Sequence, residues 1–137
     1  MNTINFTHFA IKLWQNPKIQ QELLFLQNNH SISAITVLYA HWCDYTAISY
    51  DITTIHYIQR YENIYTIPTR ILRRQLSKNT AQYKTTLNTE IQQEMNLIKQ
   101  LPIFFPALPC GSKNAIIELS HYYAVPISST ISTIDTL

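Results

Sequence analysis

Apolar residues recur along this chain at steps of three and four, the spacing of one helical face. Phe6, Phe9, Ala10, Leu13 and Trp14 make the stripe of a first helix. Asn16-Pro17 ends it and opens a second, with Asn16 as cap and Pro17 in the first turn, where a missing N–H is harmless. Ile19, Leu23 and Leu26 carry the second stripe; Gln20, Gln21 and Gln27 fall outside it. "NNHSIS" reads as a turn, with Ser31 or Ser33 capping a third helix. This third helix, "AITVLYAHWC", places Ile35, Leu38, Tyr39, Trp42 and Cys43 on one face, widened by Ala34, Val37 and Ala40. A helix apolar nearly all round belongs at the centre of a domain.

"DITTIHYIQRYENIYTI" has strand-favouring residues but not a strand period. Ile52, Ile55, Ile58, Tyr61 and Ile64 step by three, so a helix is expected, capped by Asp51. Pro68 then interrupts. Either a long helix kinks there or a fresh one starts with Thr66 as its cap. Both solutions turn Ile67, Ile71, Leu72 and Leu76 towards the protein and gather Arg70, Arg73 and Arg74 on one polar arc. A sixth helix is expected over about residues 81 to 101, with Leu87, Ile91, Met95 and Ile98 as its stripe and Glu90 and Glu94 beside it. The prolines of "PIFFPALPCGSK" mark a linker. "KNAIIELSHYYAV" suits one short helix capped by Ser112 and stopped by Pro126, and "ISSTISTIDTL" reads as a loose end.

The expectation is an all-α protein: a compact bundle of five or six helices over residues 1–101, then a proline-containing linker, short helix and loose tail over 102–137. A single glycine among 137 residues supports it, because tight hairpin turns favour glycine. The same scarcity excludes the glycine-rich loops that cradle phosphates and dinucleotides. The first residues lack a basic segment followed by an apolar one, and no apolar run nears the length of a membrane span, so neither leader nor membrane is expected. Cys43 and Cys110 suggest neither a disulfide framework nor a metal cluster, which fits a cytoplasmic setting.

Charge sharpens the picture. Only 13% of the chain is charged, yet residues 60–84 hold six basic residues and one acid. That window carries +5, which leaves −3 for the rest of a chain with net charge +2. Such polarity can steer an acidic partner.

"FAIKLWQNPKIQQELLFLQNNHSISAITVLYAHW", then "IPTRILRRQL" and "TEIQQE", resembles a proteobacterial family of conserved hypothetical proteins, domain of unknown function 2390. The likeness spans about residues 6 to 101. Its landmarks are Trp14, Pro17, Leu26-Gln27, Trp42, the run Pro68, Arg70, Arg73, Arg74, and Glu90 with Glu94. Ser31 and Lys18 stand where the family tends to have glycine, and Ile35 where it tends to have asparagine. The resemblance implies a small helical bacterial protein and supplies no activity.

Three candidate sites remain. Arg70, Arg73, Arg74 and Lys78 can grip an acidic protein partner, or a nucleic-acid backbone as the alternative; the plain reading pairs the arginines with Glu90 and Glu94. Trp14, Tyr39 and Trp42 can line an aromatic pocket for a small ligand, or simply fill the core. "HWCDY" places His41 near Asp44, but a metal needs three or four convergent ligands, so buried Trp42 and Cys43 with His41 at the edge is expected. Phe104 and Phe105 either fold back or dock on another subunit. No catalytic signature appears and no cofactor is implied. The leading expectation is a non-enzymatic adaptor or regulator.

Overall fold

The computed structural model describes residues 5–105 and 114–128. Helices α1 (Phe6–Trp14), α2 (Pro17–His30) and α3 (Ala34–Thr46) follow the expected boundaries closely. Asn5 caps α1 by accepting the His8 N–H, and Asn16 caps α2 through the amides of Lys18 and Ile19. Ser31 ends α2 in the left-handed region, at φ 56°, so it stops a helix and does not cap the next one. Ser33 takes the capping position of α3 but spends its hydroxyl on the Glu62 carboxylate, 3.0 Å away.

Helix α3 is central. Nine of its thirteen residues are buried, and it packs against α1, α2, α4 (Thr53–Tyr61) and α7 (Ala115–Tyr123). Phe6 meets Tyr39 edge-on at 5.3 Å between ring centroids, and Phe9 meets Trp42 at 5.2 Å. The expectation for "HWCDY" needs correction. His41 is fully buried, not at the edge, whereas Trp42 is only half-buried. Asp44 is buried too, and its carboxylate accepts the backbone N–H groups of Ala115 (2.7 Å) and Ile116 (3.1 Å). A carboxylate on the central helix thereby caps α7, where N–H groups have no helical partner. Ala115, Ile116, Leu119 and Ile127 complete the same core.

Pro68 does not restart a freshly capped helix. α4 passes through a π segment (Glu62–Thr66) into α5 (Ile67–Arg74) with helical dihedrals throughout. The Ile67 N–H bonds the Glu62 carbonyl, five residues back. That longer turn lies just before the proline, whose ring conflicts with the α-helical bond pattern. Thr66 is buried and caps nothing.

Helix α6 (Ala81–Phe104) is capped by Thr80 and runs three residues past its expected end, carrying Pro102 inside it. The rings of Phe104 and Phe105 lie 5.7 and 5.6 Å from Tyr57; Phe105 folds back and is half-buried, whereas Ile103 and Phe104 stay exposed. Ile127 is buried and the Ser128 amide donates to Glu22 of α2, so the stretch read as a loose end begins tied down. The rest of that stretch, Cys110 and the expected cap Ser112 lie outside the described residues. The described chain is an all-α bundle, and no described helix is long and apolar enough to cross a membrane.

Candidate functional site

The rod of α4, π segment and α5 decides where the arginines go. Its inward residues are Ile55, Ile58, Glu62, Thr66, Arg70 and Arg73, with steps of three, four, four, four and three. The Ile64 that extends the three-step pattern drifts to the surface. α5 is therefore turned opposite to expectation. The Arg70 and Arg73 guanidiniums face α6, while Ile71 and Leu72 are 53% and 51% exposed. The expected placement of Ile71 and Leu72 towards the protein is overturned.

Glu90 receives the arginines. Its carboxylate is buried, accepts the Arg70 Nε–H at 2.9 Å and is also bonded by Arg73 Nε. Arg70 reaches Glu94 at 3.9 Å, too long for a hydrogen bond. Burial alone would raise the Glu90 pKa, but the hydrogen bonds from Arg73 and Arg70 outweigh it and hold the carboxyl below its usual range. Glu94 goes the other way, pushed up to about 7 by desolvation and by neighbouring Glu90, with Arg70 only partly compensating. Glu62 is also raised by burial, against the Ser33 hydroxyl and Arg70. Arg73 further sits 6.0 Å above the Tyr83 ring.

Arg74 and Lys78 differ from these two. Both are exposed, and neither makes an ion pair among the described residues. The four basic residues of the candidate patch thus split into an internal pair and an outward pair.

The middle of α6 departs from expectation in part. Glu90, Leu97, Ile98 and Leu101 are buried, while Ile91 of the expected core stripe is exposed. Ile98 keeps its expected core place and Met95 packs against the core, and together with Leu87 and Ile91 they line a groove of about 520 Å³. Ile11 and Trp14 of α1 and Leu24 of α2 form its other wall, and Arg70, Arg73 and Arg74 enter from α5. A second groove of about 390 Å³ lies beyond Arg70 and Arg74, beside Ser31, Ser33 and Glu62.

The aromatic trio divides, with Tyr39 and Trp42 both packed on the Phe6 ring and Trp14 elsewhere. Trp14 lines the larger groove; Tyr39 is buried, and Trp42 packs among Phe6, Phe9 and Tyr45. Among the described residues no cluster of three His, Cys, Asp or Glu is placed to hold a metal ion. Cys43 is buried in the core, and desolvation pushes its thiol up to about 12, far from a nucleophile's range. The groove and the outward apolar edge of α5 were missed from the sequence. The signal for both was the pairing of arginines three apart with glutamates four apart on neighbouring helices.

Fold and site together define an all-α bundle whose arginine helix is braced from within by a buried glutamate. The chain belongs to the family described as Protein of unknown function (DUF2390), whose model matches residues 5–101. No curated protein and no solved structure matches it.

Proposed function

We propose that this protein is a non-enzymatic adaptor of the bacterial cytoplasm that docks an acidic, amphipathic segment of a partner protein on the outward face of α5. One observation carries the reading: Ile64, Tyr65, Ile71 and Leu72 lie exposed on this rod, and the exposed charges around them, Arg60, Arg74 and Lys78, are all basic. The only acid between residues 60 and 84 is Glu62, which is buried. An apolar stripe rimmed by one sign of charge complements a helix with an apolar face and carboxylates at its margins. Arg70 and Arg73 hold the platform in place; Arg74 and Lys78 make the contact. A nucleic-acid backbone is less well served, because Arg70 and Arg73 face Glu90 rather than this surface and apolar side chains lie exposed beside the remaining cations.

The test is capture from native lysate by wild type and by a Leu72→Asp/Arg74→Glu variant, with and without nuclease, folding being checked by circular dichroism. The expected result is an acidic protein retained by wild type, lost by the variant and indifferent to nuclease. Capture that disappears with nuclease, or that is equal for both forms, refutes the reading.

A further inference from the structure

The groove between α1, α2, α5 and α6 borders the proposed partner face along α5 and shares Arg74 with it, but its apolar walls come from other helices. Its volume of about 520 Å³ falls in the range of small-ligand sites rather than of protein interfaces. It follows α6 from Leu87 to Ile98, roughly 16 Å of helix. Ile11, Trp14, Leu24 and Ile91 line it although each keeps more than a third of its surface exposed, so apolar walls meet water there.

Its polar side carries an excess of positive charge. Arg70, Arg73 and Arg74 line it against Glu90 and Glu94, and the lining residues of α1, α2 and α3 add no charge. Arg70 and Arg73 share the one buried carboxylate of Glu90, chiefly through Nε, and Arg73 also bonds Tyr83; with five N–H donors on each guanidinium, both keep donors beyond these bonds. Arg74 makes no ion pair among the described residues. Glu94 opposes an anion only when ionised, and desolvation together with neighbouring Glu90 disfavours that form.

We infer that this groove binds a small amphipathic monocarboxylate, its apolar body along Trp14, Leu24 and Ile91 and its carboxylate against the uncommitted guanidinium donors headed by Arg74. The planar fork of arginine suits a carboxylate, and the apolar walls exclude a purely polar anion.

The probe is octanoate, titrated into the full chain by calorimetry and followed by ¹H–¹⁵N spectra, with octylammonium and octanol as controls. Saturable octanoate binding that shifts the Trp14 indole signal is expected, with octylammonium and octanol each at least about tenfold weaker, since one charge-assisted contact is worth about that factor. Arg74→Gln is expected to weaken octanoate about tenfold for the same reason, and Glu94→Gln to tighten it at pH 8, where the native carboxylate repels. Both side chains are surface-accessible, and thermal melts verify that the variants fold. Absence of binding at millimolar octanoate overturns the proposal. Equal binding of the three probes, shifts confined to residues away from Trp14, or unchanged affinity in both variants also overturns it.

Discussion

Glu90 sits beneath two guanidiniums with its side chain only 5% exposed, while Arg70 and Arg73 keep 16% and 19%. Replacing it by Gln leaves two half-buried cations facing a neutral amide. Glu90→Gln should therefore destabilise the fold by about 2–3 kcal/mol in urea unfolding, whereas exposed Arg74→Gln should stay within about 0.5 kcal/mol. His41 offers a second test. Desolvation lowers its pKa from 6.5 to about 4, so the folded protein holds it neutral while the unfolded chain takes up a proton as pH falls. The contribution is complete above about pH 6.5 and is lost between there and about pH 4, in total about 3 kcal/mol. Glu94, raised to about 7, acts in the opposite direction over the same window. The clean readout is thus the stability of wild type minus that of His41→Leu, measured at pH 7 and pH 5. This difference should move against wild type on acidification; a constant difference would count against a buried neutral imidazole. Ser31 holds a left-handed conformation that glycine adopts freely, at the position where the resembled family tends to have glycine. Ser31→Gly should raise stability by about 0.5–1 kcal/mol in urea unfolding.

At the scale of elements, the π segment sets the register of everything after it. Deleting Asn63 would shorten the long turn and rotate α5 by about 100°, carrying Arg70 and Arg73 away from Glu90. Loss of stability at least equal to that of Glu90→Gln is expected; a deletion variant as stable as wild type would show that the turn is incidental. Helix α7 takes two of its N-terminal hydrogen bonds from a distant carboxylate. Asp44→Ala should raise amide hydrogen exchange across Ala115–Tyr123 far more than in α2, since it leaves two buried N–H groups unpaired. Helices α1 to α3 were legible in the sequence because caps and apolar period agreed there, as at Asn16-Pro17 and Ile19-Leu23-Leu26. α5 and the middle of α6 were not. Period alone assigns apolar residues to the inside, but here a buried carboxylate takes the inward place on α6 and two arginines follow it on α5. Electrostatic pairing across helices overrode the stripe. The role of Asp44 was illegible for another reason: its partners lie 71 and 72 residues away.

For the whole molecule, the consequence is a body with one firmly filled core and two unfilled surfaces meeting at α5. The core runs through α3 and takes in α1, α2, α4, α7 and the far end of α6. The arginines form the partition, with the larger groove on one side and the exposed Ile71 and Leu72 on the other. Both binding proposals depend on α5 facing as it does. The most direct check is a double-mutant cycle on Arg73 and Glu90, with both residues replaced by Ala singly and together and stability measured by urea unfolding. An inward Arg73 should give a coupling energy of about 1.5–3 kcal/mol. Additive losses, with no coupling between the two sites, would mean that Arg73 faces solvent and that α5 presents the opposite side to its partners.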